Sequence, residues 1–95
     1  MPIVTTFKIL GDPDEMLREK KEKVDPIVQD LAPDNGGIEH LVARADDGLL
    51  IINVWENEEG MQKISDAVRD KAQELGLQGE PTDWHQYELL QRETP

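Results

Sequence analysis

Apolar positions along the chain fall into blocks whose spacing switches between that of strands and that of helices. Ile3-Val4-Thr5-Thr6-Phe7-Lys8-Ile9-Leu10 is rich in β-branched and aromatic residues and closes on Gly11, which predicts a strand. Asp12-Pro13-Asp14-Glu15 reads as a helix start: Asp12 caps, Pro13 fits the first turn, and the acids sit at the positive end of the dipole. Leu17, Val24, Val28 and Leu31 then form one apolar stripe, opposite a charged face from Arg18 to Lys23 in which Glu19 and Lys23 make an i,i+4 pair. Asp25-Pro26 predicts a kink in this helix, or a restart capped by Asp25, and Asn35-Gly36-Gly37 ends it.

Ile38 to Ala45 and Leu49 to Trp55 flank Asp46-Asp47-Gly48, a hairpin signal that allows two registers. A two-residue Asp47-Gly48 turn sets His40 opposite Trp55, Val42 opposite Asn53 and Arg44 opposite Ile51. A three-residue loop with a glycine bulge shifts the pairing by one residue and sends His40 to the other face. The first is preferred because it gathers Leu41, Ala43, Ala45, Leu50, Ile52 and Val54 on one apolar face. A second helix follows, capped by Asn57. Met61, Ile64, Val68 and Leu75 recur at helical spacing, and Gly76 and Gly79-Glu80-Pro81 are its stop signals. Thr82 to Leu90 is a last alternating strand, and the polar tail from Gln91 to Pro95 is expected to fray.

The order β-α-β-β-α-β predicts the α+β, ferredoxin-like split unit: a four-stranded antiparallel sheet with two helices on one face. Ninety-five residues allow one such domain, spanning 1–95. The other face of the sheet is apolar on at least two strands and would be wet in a monomer. A homodimer with the two sheets face to face and the helices outside is therefore expected, with Trp84 and His85 at the seam.

Charge narrows the partners. Acids outnumber bases by 21 to 10, a net charge of −11, which argues against nucleic acid and against anionic membrane surfaces. The start Met1-Pro2-Ile3-Val4 lacks the basic region and long apolar stretch of a signal peptide, and the longest apolar run is Leu49 to Ile52. The absence of cysteine removes disulfides, thiolate nucleophiles and cysteine metal cages. Together these predict a cytoplasmic protein.

Gly36-Gly37-Ile38, opening the second strand, and Asn53-Val54-Trp55-Glu56-Asn57-Glu58-Glu59, running from the third strand into the second helix, carry a resemblance to a known family. The chain resembles the dimeric α+β barrel superfamily, most of all its antibiotic-biosynthesis-monooxygenase type. Ala43-Arg44-Ala45-Asp46-Asp47-Gly48 and Thr82-Asp83-Trp84-His85-Gln86-Tyr87-Glu88 are also similar to small actinobacterial proteins of unassigned function. The resemblance implies a pocket between each sheet and its own helices. It also implies cofactor-free oxygenation or cyclisation of a phenolic or polyketide-like substrate, or a related dimer that binds without turnover. The haem-degrading branch carries an Asn on strand one, a Trp ending strand three and a His on helix two. Only Trp55 matches, since Thr5 and Thr6 stand on strand one and Ser65 stands near the expected His position.

His40, Asn53 and Trp55 are the candidate catalytic residues. Imidazole can act as a general base near neutral pH, an amide can hold a hydroxy-keto group or an oxyanion, and indole gives a flat wall with one donor. Tyr87, Arg44 and Ile51 are the candidate substrate contacts. His40 and His85 lack metal-ligand spacing and no metal is expected. No flavin or nicotinamide fingerprint occurs, so no cofactor is expected. Asp12-Pro13-Asp14 lacks the glycine of a calcium loop, with Leu17 at that place. Ser65 has no histidine near it in sequence to make a triad.

Overall fold

The computed structural model describes residues 2–76 and 81–93. Strands β1 (Ile3–Leu10), β2 (Gly37–Ala45), β3 (Gly48–Trp55) and β4 (Pro81–Glu88) form one antiparallel sheet in the order β2-β3-β1-β4. Helices α1 (Pro13–Glu19), α2 (Asp25–Leu31) and α3 (Glu58–Leu75) complete the ferredoxin-like order, α1 and α2 forming the first of its two helical arms. The expected stop at Gly79-Glu80 lies outside the described residues, as do Thr94 and Pro95 of the tail.

Both arms begin as their sequences dictate. Asp12 Oδ1 accepts from the Asp14 and Glu15 amides at 3.1 and 3.5 Å, and Asn57 Oδ1 accepts from the Gly60 amide at 2.8 Å. Gly76, at φ 64°, closes α3 in the left-handed conformation.

Asp25 does not cap a restarted helix at Asp25-Pro26: α2 has Val24 at its N-cap position and no side-chain cap bond. One π-helical turn, Lys20–Val24, joins α1 to α2, and the Asp25 amide bonds to the Lys20 carbonyl five residues back. Proline lacks an amide hydrogen and its ring crowds the preceding turn, so a wider turn is a way to keep the helix continuous. The wider turn also resets the side-chain spacing. The ion pair that forms there is Lys20 with Asp25, five apart, rather than Glu19 with Lys23.

The hairpin departs from both expected registers. Asp46 and Asp47 make the turn and Ala45 pairs with Gly48, so His40 faces Asn53, Val42 faces Ile51 and Arg44 faces Leu49. Gly48 is needed by the sheet rather than by the turn: a Cβ there would lie 1.9 Å from the Ile9 carbonyl oxygen. The Gly11 amide bonds to the Asp47 carbonyl at 3.0 Å and fixes the turn to the end of β1. A slip of two residues preserves the alternation of faces, so His40 keeps the side it was expected to occupy.

That side faces the helices. Ile3, Trp55, Met61 and Ile64 form the buried core, with Val28, Leu31, Ala32 and Val68 packed against it. The opposite face carries Val4, Leu41, Leu50, Ile52, Val54 and Tyr87, as the alternation of the paired strands requires. None of the described helices is long and apolar enough to cross a membrane.

Candidate functional site

Across the helix-facing side of the sheet, one row runs Gln86, Thr5, Asn53 and His40, a residue from each strand. A polar group buried under the helices needs a hydrogen-bond partner, and the buried member of this row has one. Thr5 is fully buried and its Oγ1 accepts from Trp55 Nε1 at 2.9 Å. Asn53 Oδ1 meets His40 Nδ1 across the β2–β3 ladder. No buried side-chain nitrogen or oxygen among the described residues lacks a partner.

His40 and Asn53 border a cleft of about 340 Å³ between the sheet and α2. Trp55 contributes apolar wall from β3, while Val28 contributes it from α2 and Ala32 from the turn just after it. The volume lies near the lower end of the range of small-molecule sites, which are mostly apolar with a few convergent polar groups. A bulge at Ile38, between the Gly37–Trp55 and Glu39–Val54 pairs, marks the strand at the cleft. Gly37 is required there because a Cβ would stand 2.8 Å from that of Ala32.

The pairing with Asn53 gives His40 a chemical direction. With the amide oxygen facing Nδ1, that nitrogen carries the imidazole proton and the Nε2 lone pair is free to accept one. His40 is exposed and Asn53 half-buried, so the imidazole sits at the rim and the amide below it. The Asn53 Nδ2 group remains as a donor. Trp55 differs from expectation: it is buried in the core, and its one N–H is committed to Thr5, leaving only the ring as wall.

The expected substrate contacts are not brought to this cleft. Tyr87 pairs with Val4 on the opposite face of the sheet and is exposed, because Glu88, Gln86 and Trp84 take the helix side of β4. Ile51 is fully buried in the core. Arg44 lies toward the hairpin turn, where its Nη2 donates to Asp14 Oδ1 at 2.5 Å; that hydrogen bond, then the carboxylate charge, holds the guanidinium above its ordinary pKa. Trp84 stacks on Phe7 at 4.9 Å between centroids, on the helix side, whereas His85 shares the open face and contacts Asp83 at 3.0 Å. Trp84 and His85 therefore lie on opposite faces of the sheet rather than together at one seam.

Two polar side chains of the cleft carry no signal as isolated residues. Asp25 and Gln29 border it from α2. Asp25, Val28, Gln29 and Ala32 follow the i, i+3, i+4, i+7 spacing of one helix face, and Val28 already belonged to the apolar stripe. That spacing was the available clue. The Asp25 carboxylate is held by Lys20 across the π turn, with side chains 24% and 12% exposed. Among the described residues, no group of three or more His, Asp or Glu is gathered as metal ligands.

No family model and no curated protein sequence matches the chain. Solved structures do match in fold. SnoaB, a cofactor-independent oxygenase from Streptomyces nogalater, is 17% identical, with 96% of this chain and 93% of that one covered at a TM-score of 0.61. Rv0793 from Mycobacterium tuberculosis is 9% identical, covering 99% and 100% at 0.68. A dimeric ferredoxin-like protein from an uncultured marine organism is 14% identical, covering 99% and 98% at 0.68. The chain thus has the ferredoxin-like fold of these structures.

Proposed function

We propose that the chain is a cofactor-independent oxygenase or cyclase acting on a small phenolic or polyketide-like substrate in the cleft between its sheet and α2. The observation that carries this reading is His40 Nδ1 on the Asn53 amide oxygen at the rim of an apolar cleft. His40 Nε2 takes a proton from a phenol or from a carbon beside a carbonyl, and the Asn53 amide holds the imidazole in the required tautomer. The substrate anion then either adds to a carbonyl carbon of the same molecule, closing a ring as the C=O π bond breaks and its oxygen takes the proton back from His40, or gives electrons to dioxygen. In the second case one oxygen atom enters as a carbonyl in place of two hydrogens, and the other leaves with them as water. The fold shared with SnoaB supports an oxygen-using reaction without a cofactor.

The working unit in this reading is a homodimer joined through the open face, which exposes Leu41 by 47% and Tyr87 by 54%. The fold shared with a protein described as dimeric supports it. Ligand binding is read from Trp55 fluorescence in a Trp84→Phe background, and turnover from oxygen uptake or loss of substrate absorbance. His40→Ala is expected to abolish turnover with little loss of binding, and Asn53→Ala to weaken binding by about 1–3 kcal/mol. A panel of phenols and anthrones that leaves the fluorescence unchanged refutes the cleft as a ligand site. Binding without consumption in air leaves a binding module, a reading favoured by the exposure of His40.

A further inference from the structure

We infer that the cleft selects uncharged hydroxylated aromatics over anionic ones, and that Asp25 is the selecting residue. This rests on the cleft being the ligand site, as proposed above. Two charged residues border the cleft, Asp25 and Glu39, and both are acids. Glu39 pairs with Val54, whose side of the sheet is turned away from the helices, and its Oε2 accepts from Arg92 Nε at 3.2 Å. Asp25 is therefore the charge on the helix side.

Its geometry is built rather than incidental. The π turn carries Asp25 onto the α2 face that holds Val28, Gln29 and Ala32, and Lys20 pairs with it from the preceding turn. Lys20 does not border the cleft and is the least exposed ion-paired side chain among the described residues. The pair is thus a fixed dipole whose negative end borders the cleft. A carboxylate or phosphate on a ligand meets that end with no cationic side chain on the cleft wall to answer it, whereas a hydroxyl group can donate to it. One wall offers the His40 Nε2 acceptor and the Asn53 Nδ2 donor, and the other the Asp25 acceptor and the Gln29 amide. An aromatic with a hydroxyl at each end satisfies both.

The test compares two probes of one skeleton, 2,6-dihydroxynaphthalene and 3,7-dihydroxy-2-naphthoate, titrated against the full chain with the Trp84→Phe substitution. The uncharged diol is expected to bind about tenfold more tightly. Asp25→Asn, which keeps an oxygen for Lys20, should reduce that preference below about threefold. Lys20→Met, which leaves Asp25 unneutralised, should raise it above the starting value. The net charge of −11 also repels the naphthoate, but its action over distance fades in 0.5 M salt, where the Debye length is only about 4 Å. A preference that persists in that salt and collapses in Asp25→Asn supports the assignment. A preference unchanged in both variants overturns it while leaving the cleft as a ligand site. If neither probe changes Trp55 fluorescence and equilibrium dialysis finds no binding, the ligand-site reading fails together with this one.

Discussion

The two faces of the sheet are built from the same strands and have different fates. Toward the helices, β1 and β3 present Ile3, Thr5, Ile51 and Trp55, every one of them buried, with Met61 and Ile64 of α3 closing the layer. Away from the helices, the same strands present Val4, Leu50, Ile52 and Val54, and β2 and β4 add the exposed Leu41 and Tyr87. The helix side also accepts a buried polar group, because Thr5 has Trp55 Nε1 to bond with. Two apolar faces with one helical layer make a fold complete on one side and unfinished on the other. The cleft lies where the covered face opens, between α2 and the end of the sheet.

Single substitutions on the two faces should therefore have different consequences. The largest effect on folding is expected for Ile51→Ala, which empties a fully buried site and should cost about 3–4 kcal/mol in urea unfolding. Leu41→Ala, on the open face, should cost much less in a monomer. Equal losses measured below the dimer dissociation range would break the distinction.

Next in size is Leu41→Asp. A charge placed in an apolar seam between two acidic chains should raise the dimer dissociation constant at least hundredfold, about 3 kcal/mol, while circular dichroism stays unchanged. Light scattering should then fall from twice 10.8 kDa to 10.8 kDa. A wild-type chain that is already monomeric at micromolar concentration would refute the dimer. Thr5→Val tests the covered face by chemistry rather than volume. It keeps the shape but removes the hydrogen-bond partner of Trp55 Nε1, and a loss of about 1–3 kcal/mol is expected, with a shifted indole N–H resonance.

The contrast also accounts for what could be read in advance. Element order, both caps and the two apolar faces follow from local spacing and capping chemistry, which residues near in sequence determine. The hairpin register does not. Gly48 looks like a turn glycine, yet its conformation is set by the Ile9 carbonyl, almost forty residues earlier in the chain. His40 and Asn53 were legible as a face and not as a pair, because the two-residue slip preserves the face and changes the partner. Tyr87 follows the pairing of β4 with β1, which includes a bulge between Thr6 and Lys8, and an isolated alternation cannot fix that phase. Asp25 reads as a cap because the π turn that keeps the helix running through Pro26 has no simple sequence signature.

The smallest expected effect concerns Arg44, which the hairpin slip carries away from Ile51 and toward the turn. Its guanidinium pairs with Asp14, but both side chains are open to solvent, at 64% and 76%, where Coulomb attraction is screened and holding two mobile side chains costs entropy. The pair raises the Arg44 pKa, so whatever it contributes is fully present below the ordinary guanidinium value of the unfolded chain and is lost only as pH rises through the higher folded one. No pH dependence from this group falls between pH 4 and 10. Arg44→Ala should accordingly leave the melting temperature, its pH profile in that window and the affinity for 2,6-dihydroxynaphthalene all unchanged within error. A loss of affinity would place the ligand beyond the cleft, along the strand toward α1, and would return Arg44 to the role its position in the sequence first suggested.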